Sequence, residues 1–270
     1  MSDKFVLNMI GGGFQHAFSS CGWNHPKYVV WDKTKHEGSV SVHIDRAVFE
    51  VVPDPNKINI GWFCESPYFM RPYTAQFDHP ERKEQLLKFY KHIFTSDKEL
   101  LKKHPELHYI QPHASTWIQN CQLYPKTKWA SIIASAKNEA PGHQLRHMVV
   151  QAYGEALDVF GGGYKPIKEK EEGLADFMFS FSIENIKTDG YFTEKICDCF
   201  ACGTIPIYWG DETIAQHFVE EGIVRLTDDF DPSILTKELY EAKMPFVKEN
   251  FERTLNFLTT EDYIYLNYIK

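Results

Sequence analysis

The stretch from Phe177 to Gly210 constrains the fold of this chain more than any other part of the sequence. Residues 177–183 are apolar or small throughout, which is the pattern of a strand buried on both faces of a parallel sheet. A polar loop follows, and Thr193 and Gly203 are typical residues for the start and the end of a helix. Residues 204–208 predict another strand. We therefore expect the order strand, polar loop, helix and strand.

Several polar residues fall where the first of these strands ends and the helix begins. Open parallel sheets bind ligands beyond the carboxyl ends of their strands, and a helix N-terminus offers free N–H groups to an anion. Lys195 is unusual in this place, because lysine is normally favoured at the other end of a helix. Spacing alone leaves two interpretations open. They are a phosphate site that uses Lys195, or a solvated ion pair between Glu194 and Lys195.

The same stretch resembles the donor-binding signature of the α-1,3-fucosyltransferases, which form glycosyltransferase family 10. The matching segments are Ile183-Glu184-Asn185, residues 190–195 and residues 203–210, and Ile183 stands where the family has phenylalanine. The resemblance implies an α/β fold of the GT-B type, with two Rossmann-like domains facing across a cleft. It also implies a set of donor-binding residues: Asn185, Tyr191, Glu194 and Lys195, with Glu184 as a secondary candidate.

A second match lies in the first half of the chain. Residues 58–63 predict a strand, and Glu65-Ser66-Pro67 follows it directly. By itself, a glutamate in this place is most simply an exposed loop residue before a turn. The fucosyltransferases carry a Glu-Ser-Pro triplet after an aromatic-rich strand, and the resemblance implies that Glu65 is the catalytic base.

The second domain is predicted to open with a strand over residues 129–135 and a helix over residues 143–155. Arg146 lies near the start of that helix, at the carboxyl edge of the predicted sheet. A planar guanidinium can bind two phosphate oxygens at once, although an arginine on a helix surface is the simpler interpretation. The family resemblance implies that Arg146 holds the donor diphosphate, with Ser135 and Asn138 as further secondary candidates.

The predicted domain boundary lies in a polar, proline-containing segment, which gives an acceptor-binding α/β domain over residues 1–125 and a Rossmann-like domain for GDP-fucose over residues 126–270. A net charge of -8 argues against nonspecific binding of nucleic acid, which depends on basic surface. We expect no transmembrane segment and no signal peptide, since long apolar runs are missing from the sequence. With these features the six cysteines predict reduced thiols and a cytoplasmic location.

Two short patterns raise the question of a metal. Cys197, Cys199 and Cys202 would fan around a helix instead of sharing one face, and Asp229 and Asp231 are better placed to cap a helix. The sequence therefore predicts neither a metal site nor a required cofactor, although a divalent ion could stimulate the reaction.

The function that the resemblance implies is an inverting transfer of L-fucose from GDP-fucose to a hydroxyl of a glycan acceptor, with α-1,3 or α-1,4 linkage. The partners would be a nucleotide sugar and a glycan. Two alternatives stay open at this point. One is an inverting transferase that uses another nucleotide sugar on the same scaffold, and the other is a non-catalytic protein that binds a glycan or a nucleotide.

Overall fold

The computed structural model describes residues 4–111 and 115–270, and the chain divides into two compact units. Unit 1 comprises Met1–Ala114 together with Leu258–Lys270, and unit 2 comprises Ser115–Phe257. Each unit contains a parallel sheet accompanied by helices. The predicted fold class, with two α/β domains, is confirmed.

Unit 1 is built on a six-stranded parallel sheet with strand order β2-β1-β3-β4-β5-β6. All five residues of Val40–Ile44 are buried, as expected for a central strand covered on both faces. The strands are β1 Phe5–Ile10, β2 Val29–Asp32, β3 Val40–Ile44, β4 Ile58–Trp62, β5 His92–Thr95 and β6 His108–Tyr109. The helices up to this point are α1 Ala47–Glu50, α2 Pro67–Thr74, α3 Pro80–Phe89 and α4 Lys98–Lys103, with a 3-10 turn at Ala75–Asp78.

Unit 2 is built on a five-stranded parallel sheet with strand order β11-β10-β9-β7-β8. Its core is rich in phenylalanine from the central strand, with Phe177 and Phe179 fully buried. The strands are β7 Lys128–Ile133, β8 Asp158–Phe160, β9 Phe177–Ile183, β10 Ile205–Trp209 and β11 Val224–Arg225. The helices are α5 Pro141–Tyr153, α6 Glu194–Ala201 and α7 Lys237–Asn256, with 3-10 turns at Lys170–Gly173, Ile214–Gln216, Glu220–Gly222 and Pro232–Ile234.

The division between the units differs from the predicted 1–125 and 126–270. Residues 115–125 belong to unit 2 because they bond to α6 and the turn after it: Thr116 Oγ1 donates to Asp198 at 2.7 Å, and the backbone N–H of Gln122 donates to the Ala201 carbonyl at 3.0 Å. These contacts join positions about eighty residues apart, so the polar, proline-containing composition of the segment did not indicate them.

The segment Leu258–Lys270 packs within unit 1, although it follows unit 2 along the chain. It contains α8 Thr260–Ile264 and a π-helical turn, Tyr265–Ile269. The fully buried carboxylate of Glu261 accepts hydrogen bonds from Ser20 Oγ at 2.6 Å and from Trp31 Nε1 at 3.0 Å. Unit 1 is therefore completed by this later segment, which the predicted division had assigned to the second domain.

The six cysteines are free thiols, and Cys197, Cys199 and Cys202 are all buried. Within residues 4–111 and 115–270, no three histidine, cysteine or acidic side chains come together in a way that could hold a metal ion. Over the same residues, no helix is both long enough and apolar enough to cross a membrane.

Candidate active site

The stretch from Phe177 to Gly210 folds as predicted. Strand β9 leads through a polar loop into α6, whose N-cap is Thr193, and β10 follows. After the helix, Gly203 has a φ of 69°, a left-handed conformation that favours glycine and lets the chain turn into β10. The loop and the start of α6 therefore lie at the carboxyl edge of the unit 2 sheet.

Glu184 holds the start of α6 from within the core. Its side chain is fully buried, and its carboxylate accepts the backbone N–H of Thr193 at 2.8 Å and the Thr193 hydroxyl at 2.8 Å. The same carboxylate accepts a hydrogen bond from Lys195 Nζ at 3.2 Å, whereas Glu194 lies 3.9 Å from that ammonium. Glu184 is thus the nearest negative charge that offsets a lysine at a helix N-terminus.

Arg146 is buried against the end of β9 and does not lie on a helix surface. Its Nε donates to the carbonyl of Ile183 at 3.1 Å, and its Nη2 donates to Asn185 Oδ1 at 3.1 Å. Burial lowers the pKa of Arg146, and the charge of Glu184 opposes this shift. The close approach of α5 requires Gly142, since a Cβ at that position would lie 1.7 Å from the carbonyl oxygen of Glu184.

These elements enclose a cavity of about 220 Å³ at the carboxyl edge of the sheet. Four of the predicted residues line it: Ser135, Arg146, Glu194 and Lys195. The other predicted residues of unit 2 do not line it. Asn185 contacts Arg146, Tyr191 is buried, Glu184 is the anchor described above, and Asn138 is exposed on the loop between β7 and α5.

Lys170 also lines the cavity, and it was not among the residues predicted from the sequence. Lys170 Nζ lies 2.5 Å from Asp198 Oδ2 and 3.0 Å from Glu194 Oε1, and it stands over the Trp117 ring at 4.4 Å from the centroid. Burial alone would lower the pKa of Lys170, but the charges of Asp198 and Glu194 outweigh it and raise that pKa. Lys170 comes from a lysine- and glutamate-rich connector without periodicity, so its sequence gave no signal of a site.

Glu65 lies in unit 1, just beyond the end of β4. Its side chain is exposed, and its Oε1 accepts the backbone N–H of Ser66 at 2.6 Å. Ser66 is the N-cap of α2, with Pro67 in the first turn. The carboxylate is therefore held at the start of a helix while remaining accessible to solvent.

Open α/β sheets bind ligands beyond the carboxyl ends of their strands, and helix N-termini in that place bind phosphate groups. Residues 124–258 match the family model for the C-terminal part of glycosyltransferase family 10 (fucosyltransferase), and this match spans half of the chain. The protein belongs to glycosyltransferase family 10.

Two further comparisons concern the sequence and the fold. The chain is 35% identical over 152 residues to the α-(1,3)-fucosyltransferase FucT of Helicobacter pylori. The aligned part covers 53% of this chain but only 31% of that protein. A crystal structure of an α1,3-fucosyltransferase with GDP-fucose matches with a TM-score of 0.51 at 16% identity, covering 95% of this chain and 83% of that one. The structural likeness supports the fold.

The family match has a definite extent within the molecule. Residues 124–258 coincide closely with unit 2, so the match includes Arg146, Glu194, Lys195 and Lys170. Glu65 lies outside the matched residues, and its interpretation depends on its own motif and geometry.

Proposed function

We propose that this protein is a fucosyltransferase that moves L-fucose from GDP-fucose to a hydroxyl of a glycan acceptor, with inversion and with α-1,3 or α-1,4 linkage. The observation that carries the proposal is the cavity of unit 2, where Arg146, Lys170 and Lys195 lie beside the N-terminus of α6. A nucleoside diphosphate is the ligand whose charge suits three cations and a helix end.

The donor-binding role falls to the cations of the cavity. Each of them is already paired with a carboxylate or carbonyl, so a diphosphate would join a network whose geometry is set in advance. As the bond from the anomeric carbon to the phosphate oxygen breaks, negative charge grows on GDP, and Arg146 and Lys195 stabilise it. The Glu194 carboxylate accepts hydrogen bonds from hydroxyl groups of the donor. Asn185 and Tyr191 lie behind the residues that line the cavity and help to position them.

The second half of the reaction needs a base. The acceptor hydroxyl oxygen forms the new bond to the anomeric carbon, and its proton passes to the Glu65 carboxylate, which later releases it to solvent. Charge neutralisation by side chains means that a metal ion is not required, although a divalent ion can add to it. The six free thiols support a cytoplasmic location, where thiols stay reduced.

The test is release of GDP from GDP-fucose, with and without a panel of glycan acceptors, alongside GDP-mannose and UDP-glucose as donors. For Glu65→Gln we expect a loss of acceptor-stimulated turnover of about 100-fold or more, with unchanged donor binding. Glu81→Gln is the matched control, because Glu81 is also an exposed glutamate near the start of a helix of unit 1.

The same assay tests the donor site. Lys195→Ala should weaken binding of GDP-fucose by about tenfold or more, since a charged hydrogen bond to phosphate is lost. Lys237→Ala should leave binding unchanged, because Lys237 is likewise a lysine in the first turn of a helix of unit 2 but has a 73% exposed side chain. Turnover of another nucleotide sugar in place of GDP-fucose would refute the proposed specificity for fucose. Binding of GDP-fucose without turnover would refute the proposed transferase activity.

A further inference from the structure

A second carboxylate lies directly beside the segment that carries Glu65. Asp45 follows β3, which pairs with β4 in the parallel sheet, so the two strands end next to each other. The backbone N–H of Asp45 donates to the carbonyl of Trp62, the last residue of β4, at 2.9 Å. The end of β3 is thereby joined to the end of β4.

The Asp45 side chain continues this connection. Its Oδ1 accepts the backbone N–H of Cys64 at 2.8 Å and that of Glu65 at 2.9 Å. Its Oδ2 accepts the thiol of Cys64 at 3.3 Å. Together these hydrogen bonds fix the direction in which the backbone leaves β4, and hence the position from which the Glu65 side chain extends.

The backbone of Asp45 is held in an unfavourable conformation. Its φ is 53°, in the left-handed region that residues with a Cβ rarely adopt. Glycine would adopt this conformation without steric cost, so the turn alone does not call for aspartate. Burial raises the pKa of Asp45, and the hydrogen bonds from Glu65 and Cys64 oppose this rise. What an aspartate adds here is the set of bonds to the segment after β4.

Asp32 offers a comparison within the same sheet. It also ends a strand, β2, and its carboxylate accepts three backbone N–H groups at 2.8 to 3.1 Å. Those donors lie in its own loop, two to five residues further on. The donors to Asp45 lie nineteen and twenty residues away, and one of them is the backbone of Glu65. Asp32 shapes its own loop, whereas Asp45 shapes a distant one.

We propose that Asp45 is a positioning residue for Glu65: its carboxylate holds the Cys64–Glu65 backbone so that the glutamate meets the acceptor hydroxyl in a fixed place. The inference rests on the proposed function, in which Glu65 is the base. Asp45 itself does not contact the substrate in this role, and donor binding does not depend on it.

The test compares Asp45→Asn with Asp45→Gly in the full-length protein. Asparagine tolerates the left-handed conformation and keeps one oxygen that can accept both N–H groups, whereas glycine keeps the conformation and removes the acceptor. We expect Asp45→Gly to lower kcat by about tenfold to 100-fold, because small misplacements of a catalytic group cost this much. We expect Asp45→Asn to retain kcat within about threefold, and both variants to bind GDP-fucose as the wild type does.

Two controls and one replacement variant complete the test. Asp32→Gly should leave kcat unchanged within about twofold, since the three backbone hydrogen bonds that it removes lie in the loop of Asp32 itself and do not involve Glu65. In the Glu65→Gln background, Asp45→Gly should cause no further loss, because residues that act through one another are not additive. Should Asp45→Gly fail to fold, Asp45→Ser takes its place, since a shorter hydroxyl cannot accept both N–H groups.

The proposal is overturned if Asp45→Gly keeps wild-type kcat, if asparagine is as damaging as glycine, or if the loss persists in the Glu65→Gln background. A failure of the proposed function looks different. In that case Glu65→Gln alone would leave acceptor-stimulated turnover intact.

Discussion

Glu65 and Glu184 occupy corresponding places in the two units, and their surroundings differ. Each follows a central strand of a parallel sheet and precedes a helix, and each accepts a backbone N–H near the start of that helix. Glu184 is fully buried and also binds the Thr193 hydroxyl and the Lys195 ammonium. Glu65 is exposed and leaves much of its carboxylate open to solvent.

The difference teaches how one residue type serves two purposes at the same place in a fold. A buried carboxylate must have its charge compensated, and the groups that compensate it then depend on it for their own positions. An exposed carboxylate needs no such compensation, because water solvates its charge. The two glutamates therefore predict opposite results for the same substitution.

The largest effect on stability is expected from Glu184→Gln. This variant leaves Lys195 beside a neutral amide and turns an acceptor into a donor opposite Thr193. We expect the free energy of unfolding of unit 2 to fall by about 3 kcal/mol, because the backbone N–H and the hydroxyl of Thr193 lose a charged acceptor in the core. Urea denaturation followed by circular dichroism measures it, with each transition fitted separately. A change below about 0.5 kcal/mol would show that the carboxylate is not an anchor.

An intermediate effect is expected at Lys126, a cation of unit 2 that is held mainly by neutral oxygens. Its Nζ donates to the carbonyls of Ala175 and Cys202 at 2.8 and 2.7 Å, and burial lowers the pKa of Lys126 to about 8. Between pH 8 and 10.5 the unfolded chain binds more protons at this side chain than the folded one, so its contribution to stability rises with pH.

Lys126→Met removes this titration. Relative to the variant, the wild type should gain about 1 to 2 kcal/mol of unfolding free energy from pH 8 to pH 10. Urea denaturation of both proteins at several pH values gives the difference between their free energies of unfolding. The titration of other groups contributes equally to both proteins and cancels in this difference. A difference that falls or stays constant over this range would show that the ammonium is stabilised in the fold.

The smallest effect on stability is expected from Glu65→Gln, although the proposed function predicts a large effect of this substitution on turnover. Exposed substitutions usually change the free energy of unfolding by less than about 0.5 kcal/mol, and glutamine can still accept the N–H of Ser66. The melting temperature should thus match that of the wild type within about 2 °C. A marked loss of stability would make Glu65 a structural residue like Glu184 and would weaken the contrast between the two.

Features determined by neighbouring residues could be predicted from the sequence. The helix that follows the β9 loop was expected from Thr193 to Gly203 and is observed at Glu194–Ala201, with Thr193 as its N-cap. The strands predicted over residues 58–63, 129–135, 177–183 and 204–208 are found close to those places, as β4, β7, β9 and β10. Helix caps and apolar runs depend on residues that are close together in the sequence, so they can be recognised from the sequence alone.

Features determined by contacts between distant residues could not be predicted. The approach of Lys170 to Asp198 joins positions 28 residues apart, and the bond from Thr116 to Asp198 joins positions 82 apart. No spacing rule connects such pairs. Gly142 lies just outside the helix predicted over residues 143–155, and its tight packing against Glu184 becomes visible only once α5 and β9 are placed together.

The return of Leu258–Lys270 to unit 1 has a consequence for the order of events on the ribosome. Ser20 and Trp31 are synthesised early, but the carboxylate that satisfies them belongs to Glu261 and emerges some 230 residues later. Unit 2 is contiguous in the chain and can close as soon as its own residues have left the exit tunnel, as domains generally do. Of the two units, the one that begins first along the chain is therefore completed last.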